Sequence, residues 1–149
     1  MIKPIVSLCL WLACIAVYAQ KDALQNFPDG YQPEQVGKKL AYRFVDGKHM
    51  LHAGKWISYP ETFNWTGALK FAARSGDQQL IKLLEDKFDP LFNREKQLLP
   101  PMNHVDLNMF GTLPLEFFLT TQNKKYLALG LPYADSQWQV PENATAKEK

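Results

Sequence analysis

Shifted by 46 places, the chain lies on itself. Trp65–Phe92 falls over Gly111–Trp138, with Leu69 on Leu115, Phe71 on Phe117, Ser75 on Thr121, Leu80 on Tyr126, Ile81 on Leu127, Leu83 on Leu129, Asp89 on Asp135 and Phe92 on Trp138. Between the two apolar runs of each copy stands a polar corner, Gly76-Asp77 in the first and Gln122-Asn123 in the second, both suited to a turn or a helix N-cap. A helical hairpin repeated at this period is the mark of a stacked or closed helical array, in which each unit buries a face only against its neighbours. The sequence therefore points to an all-α fold of helical hairpins, of which two copies are too few to complete an array.

The rest of the chain arranges itself around that repeat. Lys21–Gln32 is polar, with Pro28-Asp29-Gly30 as a break, and from Pro33 the residues Val36, Leu40, Ala41 and Phe44 form a helical stripe ending near Asp46-Gly47. Lys48–Thr62 reads as a loop carrying His49, His52, Trp56 and Tyr59, long enough to be a place for binding groups. Phe63–Ser75 is apolar on most sides and is expected to be buried all round, whereas Gln78–Phe88 is apolar on one face only, the pattern of alternating inner and outer helices. Asp86–Pro101 is irregular, and Pro100-Pro101 stops any helix. Pro114 fits most easily in a first turn, so the second inner helix is expected to start near Asn108–Phe110, with Asp106 at or just outside its N-terminus. Gly130 and Pro132 are expected to bend the second outer helix and Trp138 to close it, ahead of the polar tail Ala144–Lys149.

Composition limits the partners. With 46% apolar and 13% aromatic residues in 149, there is material for the core of one domain. A net charge of +2, with no Lys/Arg block recurring on a helix face, speaks against nucleic acid. Residues 1–19 read as a signal peptide: Lys3 is the charged end, Ile5–Val17 the apolar stretch and Val17-Tyr18-Ala19 the cleavage pattern. Leu12-Ala13-Cys14 is a poor lipid-attachment site, because Trp11 is bulky and the apolar run continues past Cys14. Both cysteines, Cys9 and Cys14, lie in the removed segment, so the mature protein is expected to be exported, periplasmic, without a stable membrane anchor and without disulfides.

Two runs carry a family resemblance: WISYPETFNWTGALKFAARSGD, and HVDLNMFGTLPLEFFLTTQNKKYLALGLPYADSQW. Over about Trp56–Trp138 the chain resembles the first part of bacterial unsaturated glucuronyl and rhamnogalacturonyl hydrolases, glycoside hydrolase families 88 and 105. The likeness rests on the acid at the start of an inner helix, the Leu-Pro-Leu-Glu run from Leu113, and the Lys-Tyr-Leu-x-Leu-Gly-x-x-Tyr-Ala-Asp-x-Gln-Trp ending.

That resemblance implies an (α/α)6 toroid with the active site at one end of its inner helices. The implied substrate is an oligosaccharide left by a polysaccharide lyase, with a terminal uronic acid carrying a C4=C5 double bond. Protonation at C4 and addition of water at C5 give a hemiketal that opens and releases the sugar, with no metal or organic cofactor. Such chemistry asks for a carboxylic acid that holds its proton near neutral pH, beside a second carboxylate that couples to it and positions water. Asp106 matches the earlier of the family's two Asp residues; the later one has no counterpart by residue 149. Six hairpins of 46 residues need about 276, so residues 20–149 read as a partial toroid domain, truncated at its C-terminal side and expected to be inactive alone.

Each site residue has a plainer reading. Asp106 is also a natural helix N-cap, stabilised as an anion by the helix dipole. Trp65 either stacks on the sugar or fills the core, and the core is the default for an aromatic on an inner helix. His104 either orients Asp106 and contacts the sugar or is an exposed loop residue, and Asn108 is polar in an apolar stretch, which makes it a candidate for substrate contact. His49 and His52 have a spacing that chelates a metal on a helix but lie in an expected loop without an acid to complete a set. Two other function classes fit: a different toroid sugar enzyme, either epimerase-like or an ordinary glycosidase, and a non-catalytic exported helical-repeat module binding through Trp56–Trp65. The sequence leaves the oligomeric state open.

Overall fold

The computed structural model of the chain describes residues 26–102 and 104–140. The signal peptide expected at 1–19, both cysteines and the tail from Ala144 lie outside the described residues. Contacts divide the chain into two units, up to Val36 and from Gly37. In the first, the Pro28-Asp29-Gly30 break is a turn in which the Tyr31 N–H donates to the Pro28 carbonyl at 3.0 Å and Gln32 Nε2 to the Phe27 carbonyl at 3.1 Å.

The described residues are mostly helical, and the fold is all-α. Helix α1 covers Pro33–Asp46, opening on the expected proline with Glu34 in its first turn and Arg43 in its last, the charge order that suits the helix dipole. A two-residue antiparallel ladder follows, β1 (Leu51–His52) and β2 (Trp56–Ile57), turned through Ala53 and Gly54 in left-handed conformation. The expected loop is thus shorter than its sequence suggests. Helix α2 spans Tyr59–Ser75 and starts four residues before Phe63, because Ser58 Oγ accepts the Glu61 N–H and Pro60 sits in the first turn, where its missing N–H is no loss. Helix α3, Gln78–Phe88, buries Leu80, Ile81, Leu84 and Phe88 on one face, as its periodicity predicts. Short 3-10 turns at Asp89–Phe92 and Lys96–Leu98 occupy the irregular stretch.

The second hairpin repeats the first, cap for cap. Ser58 caps α2, and 46 residues on His104 caps the short helix α4, Val105–Asn108, its Nδ1 accepting the Asp106 N–H. After a 3-10 turn at Met109–Gly111, helix α5 runs Thr112–Thr121, so Val105–Thr121 matches Tyr59–Ser75 in length. The interruption has a local cause: Pro114 has no N–H to give the Phe110 carbonyl, and its ring would press on that carbonyl in an unbroken helix. Gly76 and Gln122 take the left-handed corner, and Asp77 and Asn123 cap the outer helices α3 and α6 (Lys124–Ser136) by accepting the Leu80 and Lys125 N–H groups. Pro132 lies inside α6, which is continuous to Ser136. Trp138 does not close that helix: it stands beyond it, 89% exposed.

An aromatic cluster joins the two hairpins. Phe88 of α3 meets Trp65, Phe117 and Tyr126 edge-on with centroids at 5.4, 5.1 and 5.5 Å, and Phe117 stacks on Tyr126 at 4.8 Å. Each such pair adds about 0.5–1.5 kcal/mol beyond the area it buries. Hairpin α5–α6 closes tightly because Gly111 and Gly130 have no side chains: a Cβ on Gly111 would lie 2.3 Å from Tyr133 Cβ, and one on Gly130 2.7 Å from Leu115 Cγ. The Tyr133 hydroxyl reaches across to donate to the Pro100 carbonyl at 2.5 Å, fixing the irregular stretch to α6. Helix α2 is not buried all round, however. Phe63 is 55% exposed, on the side turned toward α1.

Candidate functional site

Two polar places stand out on this scaffold. The first surrounds the N-terminus of the second inner helix, where His104, Asn108 and Thr112 share a cavity of about 370 Å³ with Ser136 and Gln137 from the end of α6. His104 is held at the helix cap, its carbonyl accepting the N–H groups of Leu107 and Asn108 at 3.0 and 2.7 Å and its Nδ1 accepting the Asp106 N–H at 3.3 Å. Asn108, one turn on, is buried and engaged. Val105 and Met109 add apolar surface to this lining, so the cavity offers hydrogen-bonding groups beside apolar ones, a combination that suits a ligand with hydroxyls on an apolar frame.

Asp106 is beside this cavity but not part of its wall. It is the second residue of α4, exposed, with His104 rather than itself as the cap. The fold thus brings together His104 and Asn108, with Asp106 adjacent in the same turn.

Trp65 is elsewhere. Its side chain is fully buried, with Phe44 at 5.6 Å, Phe88 at 5.4 Å, Phe117 at 6.4 Å and the His49 ring stacked on it at 5.4 Å. An indole enclosed on these sides cannot stack on a sugar, so the substrate-binding expectation for Trp65 is corrected to a core role. Its Nε1 is buried without a hydrogen-bond partner among the described residues, a cost set against the packing.

The second polar place is one that sequence reading passed over. Glu61 is 2% exposed, and its Oε1 lies 3.0 Å from His49 Nδ1, while His49 Nε2 lies 3.7 Å from Glu95 Oε2. Ser58-x-x-Glu61 has the form of a capping box, in which the Glu would return to the Ser58 N–H. Here that N–H is taken by the Met50 carbonyl at 3.0 Å, leaving the Glu61 carboxylate for His49. The capping-box pattern was visible; its redirection to a histidine twelve residues earlier was not.

Lys87 completes the surroundings. Its ammonium lies over the rings of Phe44 and Trp65, at 5.1 and 5.8 Å from their centroids, and donates to the carbonyls of Val45 and Gly47. Burial lowers its pKa, opposed by the nearby charges of Glu61, Asp46 and Glu95. A shallow cavity of about 520 Å³ opens here between Lys48, His49, Lys87 and Glu95. His52 takes no part, since it stacks on Trp56. Among the described residues no group of three His, Cys, Asp or Glu side chains is placed to hold a metal ion, and no helix is long and apolar enough to cross a membrane. Through His49, Glu61 and Glu95 tie the loop to α2 and to the irregular stretch, and Lys87 ties α3 to the end of α1.

Set against known proteins, the chain matches no protein-family model, no curated protein and no solved structure.

Proposed function

We propose that this chain belongs to an exported glycoside hydrolase of the (α/α)6 toroid kind, acting on unsaturated uronyl oligosaccharides by hydration of their C4=C5 vinyl ether, and that it carries one of the two carboxylates of that site. The observation that supports this reading is the placement of Asp106, His104 and Asn108 in one turn at the start of the second inner helix, beside a cavity in which Asn108, Thr112 and Ser136 stand among apolar side chains. The cap-for-cap repeat adds weight, since an array of hairpins is the scaffold that such a site requires.

In this reading, Asn108, Thr112 and Ser136 hydrogen-bond to sugar hydroxyls. Asp106 orients the attacking water beside a second acid, which supplies the proton. The second acid gives its proton to C4, the water oxygen bonds to C5 and gives up a proton to the base so formed, and the hemiketal opens to a ketone as its C5–O bond breaks, its hydroxyl proton passing to the oxygen of the departing sugar.

An unsaturated uronyl disaccharide is the probe. It should shift the amide resonances of His104, Asp106 and Asn108, and in any form of the protein that consumes its double bond, Asp106→Asn should abolish consumption while leaving the helical circular dichroism intact. Undiminished turnover by that variant, or resonances unmoved by the disaccharide, would overturn the reading.

A further inference from the structure

We propose that His49 is a proton-operated clasp: with both ring nitrogens protonated it holds the irregular stretch to α2 through Glu95, and on losing one proton it lets Glu95 go. The two contacts of the ring are unequal. Nδ1 lies 3.0 Å from Glu61 Oε1, a hydrogen-bond distance, whereas Nε2 lies 3.7 Å from Glu95 Oε2, too long for a hydrogen bond but within reach of an ion pair. Glu61 is buried, and the Glu95 side chain is 31% exposed.

Counting protons decides what the ring can do. An imidazolium has two N–H donors and serves both carboxylates, whereas a neutral imidazole has one N–H and, at its other nitrogen, a lone pair. The single proton stays at Nδ1, because Glu61 is the buried partner and leaving its carboxylate unmet is the costlier choice. Nε2 then turns a lone pair toward the Glu95 carboxylate. What attracted now repels, and Glu95 has Arg94 Nε at 3.5 Å and solvent to turn to. The ring itself is held, stacked on buried Trp65 at 5.4 Å, so the change of charge moves the carboxylate rather than the imidazole.

Other charges surround the ring. Lys48 precedes it, Asp86 and Lys87 come from α3 and Arg94 from the irregular stretch, all lining the same cavity, and Asp46 at the end of α1 acts on Lys87. Asp86 is taken by Lys82, and Lys87 by the Val45 and Gly47 carbonyls, so among the described residues Glu61 and Glu95 are the acids within reach of the imidazole. The stretch that Glu95 anchors is suited to respond. Its backbone hydrogen bonds are local, Leu98 N–H to the Glu95 carbonyl at 2.9 Å and Leu99 N–H to the Lys96 carbonyl at 3.1 Å. Its hold on the rest comes from side chains, Glu95 on His49 and Leu98 and Leu99 on the core, with the Tyr133 hydroxyl on the Pro100 carbonyl beyond them. Release of Glu95 frees one wall of the cavity of about 520 Å³.

The clasp does not depend on sugar chemistry, and its test needs no ligand. Histidine ring resonances of the full chain, followed from about pH 5 to about pH 8, read the proton, His49→Gln assigning the one that matters. Amide exchange at Leu98 and Leu99 reads the clasp. As pH rises, their protection factors should fall about fivefold or more, with the midpoint of the His49 titration, while Leu84 of α3 keeps its protection. Glu95→Gln, which removes the charge and keeps the size, should leave both amides at the lower protection at every pH with unchanged circular dichroism. His52→Gln, at a ring outside the cluster, should behave as wild type. Protection that stays constant across the His49 titration, a dependence that survives Glu95→Gln, or a loss shared equally by Leu84, which would mean global opening, would each overturn the proposal.

Discussion

Gly76 and Gln122, 46 residues apart, hold one and the same left-handed corner: φ and ψ are 70° and 18° at the first, 59° and 15° at the second. At Gly76 the conformation is free of strain. At Gln122 it opposes the side chain, which answers by donating from Nε2 to the carbonyls of Leu119 and Phe118 at 3.1 and 3.4 Å. Alanine at Gly76 meets no neighbour but keeps the unfavourable φ, so Gly76→Ala should lower stability by about 1 kcal/mol. At Gly67, mid-helix and equally uncrowded, the same substitution should raise stability by about 0.8–1 kcal/mol. Urea denaturation of the pair checks both signs.

Crowding decides the outcome at the α5–α6 crossing. A methyl group on Gly111 must displace Tyr133 Cβ, at the root of a side chain, so Gly111→Ala should cost roughly 1–3 kcal/mol. The Tyr133 hydroxyl would lose its hold on Pro100 with it, which should appear as faster hydrogen exchange at the Leu98 and Leu99 amides just before it.

His49 and Glu61 should behave as a unit. Removing the imidazole by His49→Leu leaves a buried carboxylate without its hydrogen bond and should cost about 1.5–3 kcal/mol. Adding Glu61→Leu should recover part of that loss, since both polar partners are then gone. A double-mutant cycle in urea reads the coupling, and strict additivity of the two changes would show that the pair carries none.

Alkaline unfolding should follow the buried tyrosines. Burial pushes the Tyr133 hydroxyl up to about 12, and Tyr126 is raised further, first by burial and then by the charges of Glu85 and Asp89. In the unfolded chain both ionise near pH 10. The stability they contribute is therefore fully present below pH 10 and is lost as the pH rises toward 12, the unfolded chain releasing protons that the folded one retains. Lys87, whose pKa burial lowers, works in the opposite sense below its unfolded value. Tyr133→Phe should make the decline in melting temperature between pH 10 and 12 shallower.

Trp65→Phe separates core from site. If the indole serves only packing, the variant loses stability and keeps whatever affinity the protein has for an unsaturated disaccharide. A loss of affinity with the fold retained would restore Trp65 to the binding site.

The parts of this molecule legible in its sequence are those decided by near neighbours. The corner residues, the one-sided stripe of α3, the start of α1 at Pro33 and the first-turn place of Pro114 depend on spacing and backbone chemistry within a few positions. Where distant residues decide, the reading failed. Phe63 looked buried because its helix is apolar, yet burial needs a partner, and the described residues supply none on that side. Trp65 stood open between core and ligand, and four rings enclose it. Glu61 drew no notice at all, because its partner His49 lies twelve residues away and the Ser58 N–H that it would otherwise accept is taken by Met50. At the candidate site, His104 and Asn108 share a cavity as sequence proximity suggested, but Ser136 and Gln137 come to it from 32 and 33 residues beyond His104 and carried no signal.

The tight left-handed corners also bear on the order of events as the chain is made. Each hairpin closes within its own stretch, α2 on α3 through Gly76 and α5 on α6 through Gln122, so the contacts that define a unit join residues emerging close together in time. Phe88, at the end of the first unit, is in place before Phe117 and Tyr126 arrive to pack on it. The first hairpin can thus act as a folding platform for the second, and growth by whole units proceeds without waiting for a distant terminus.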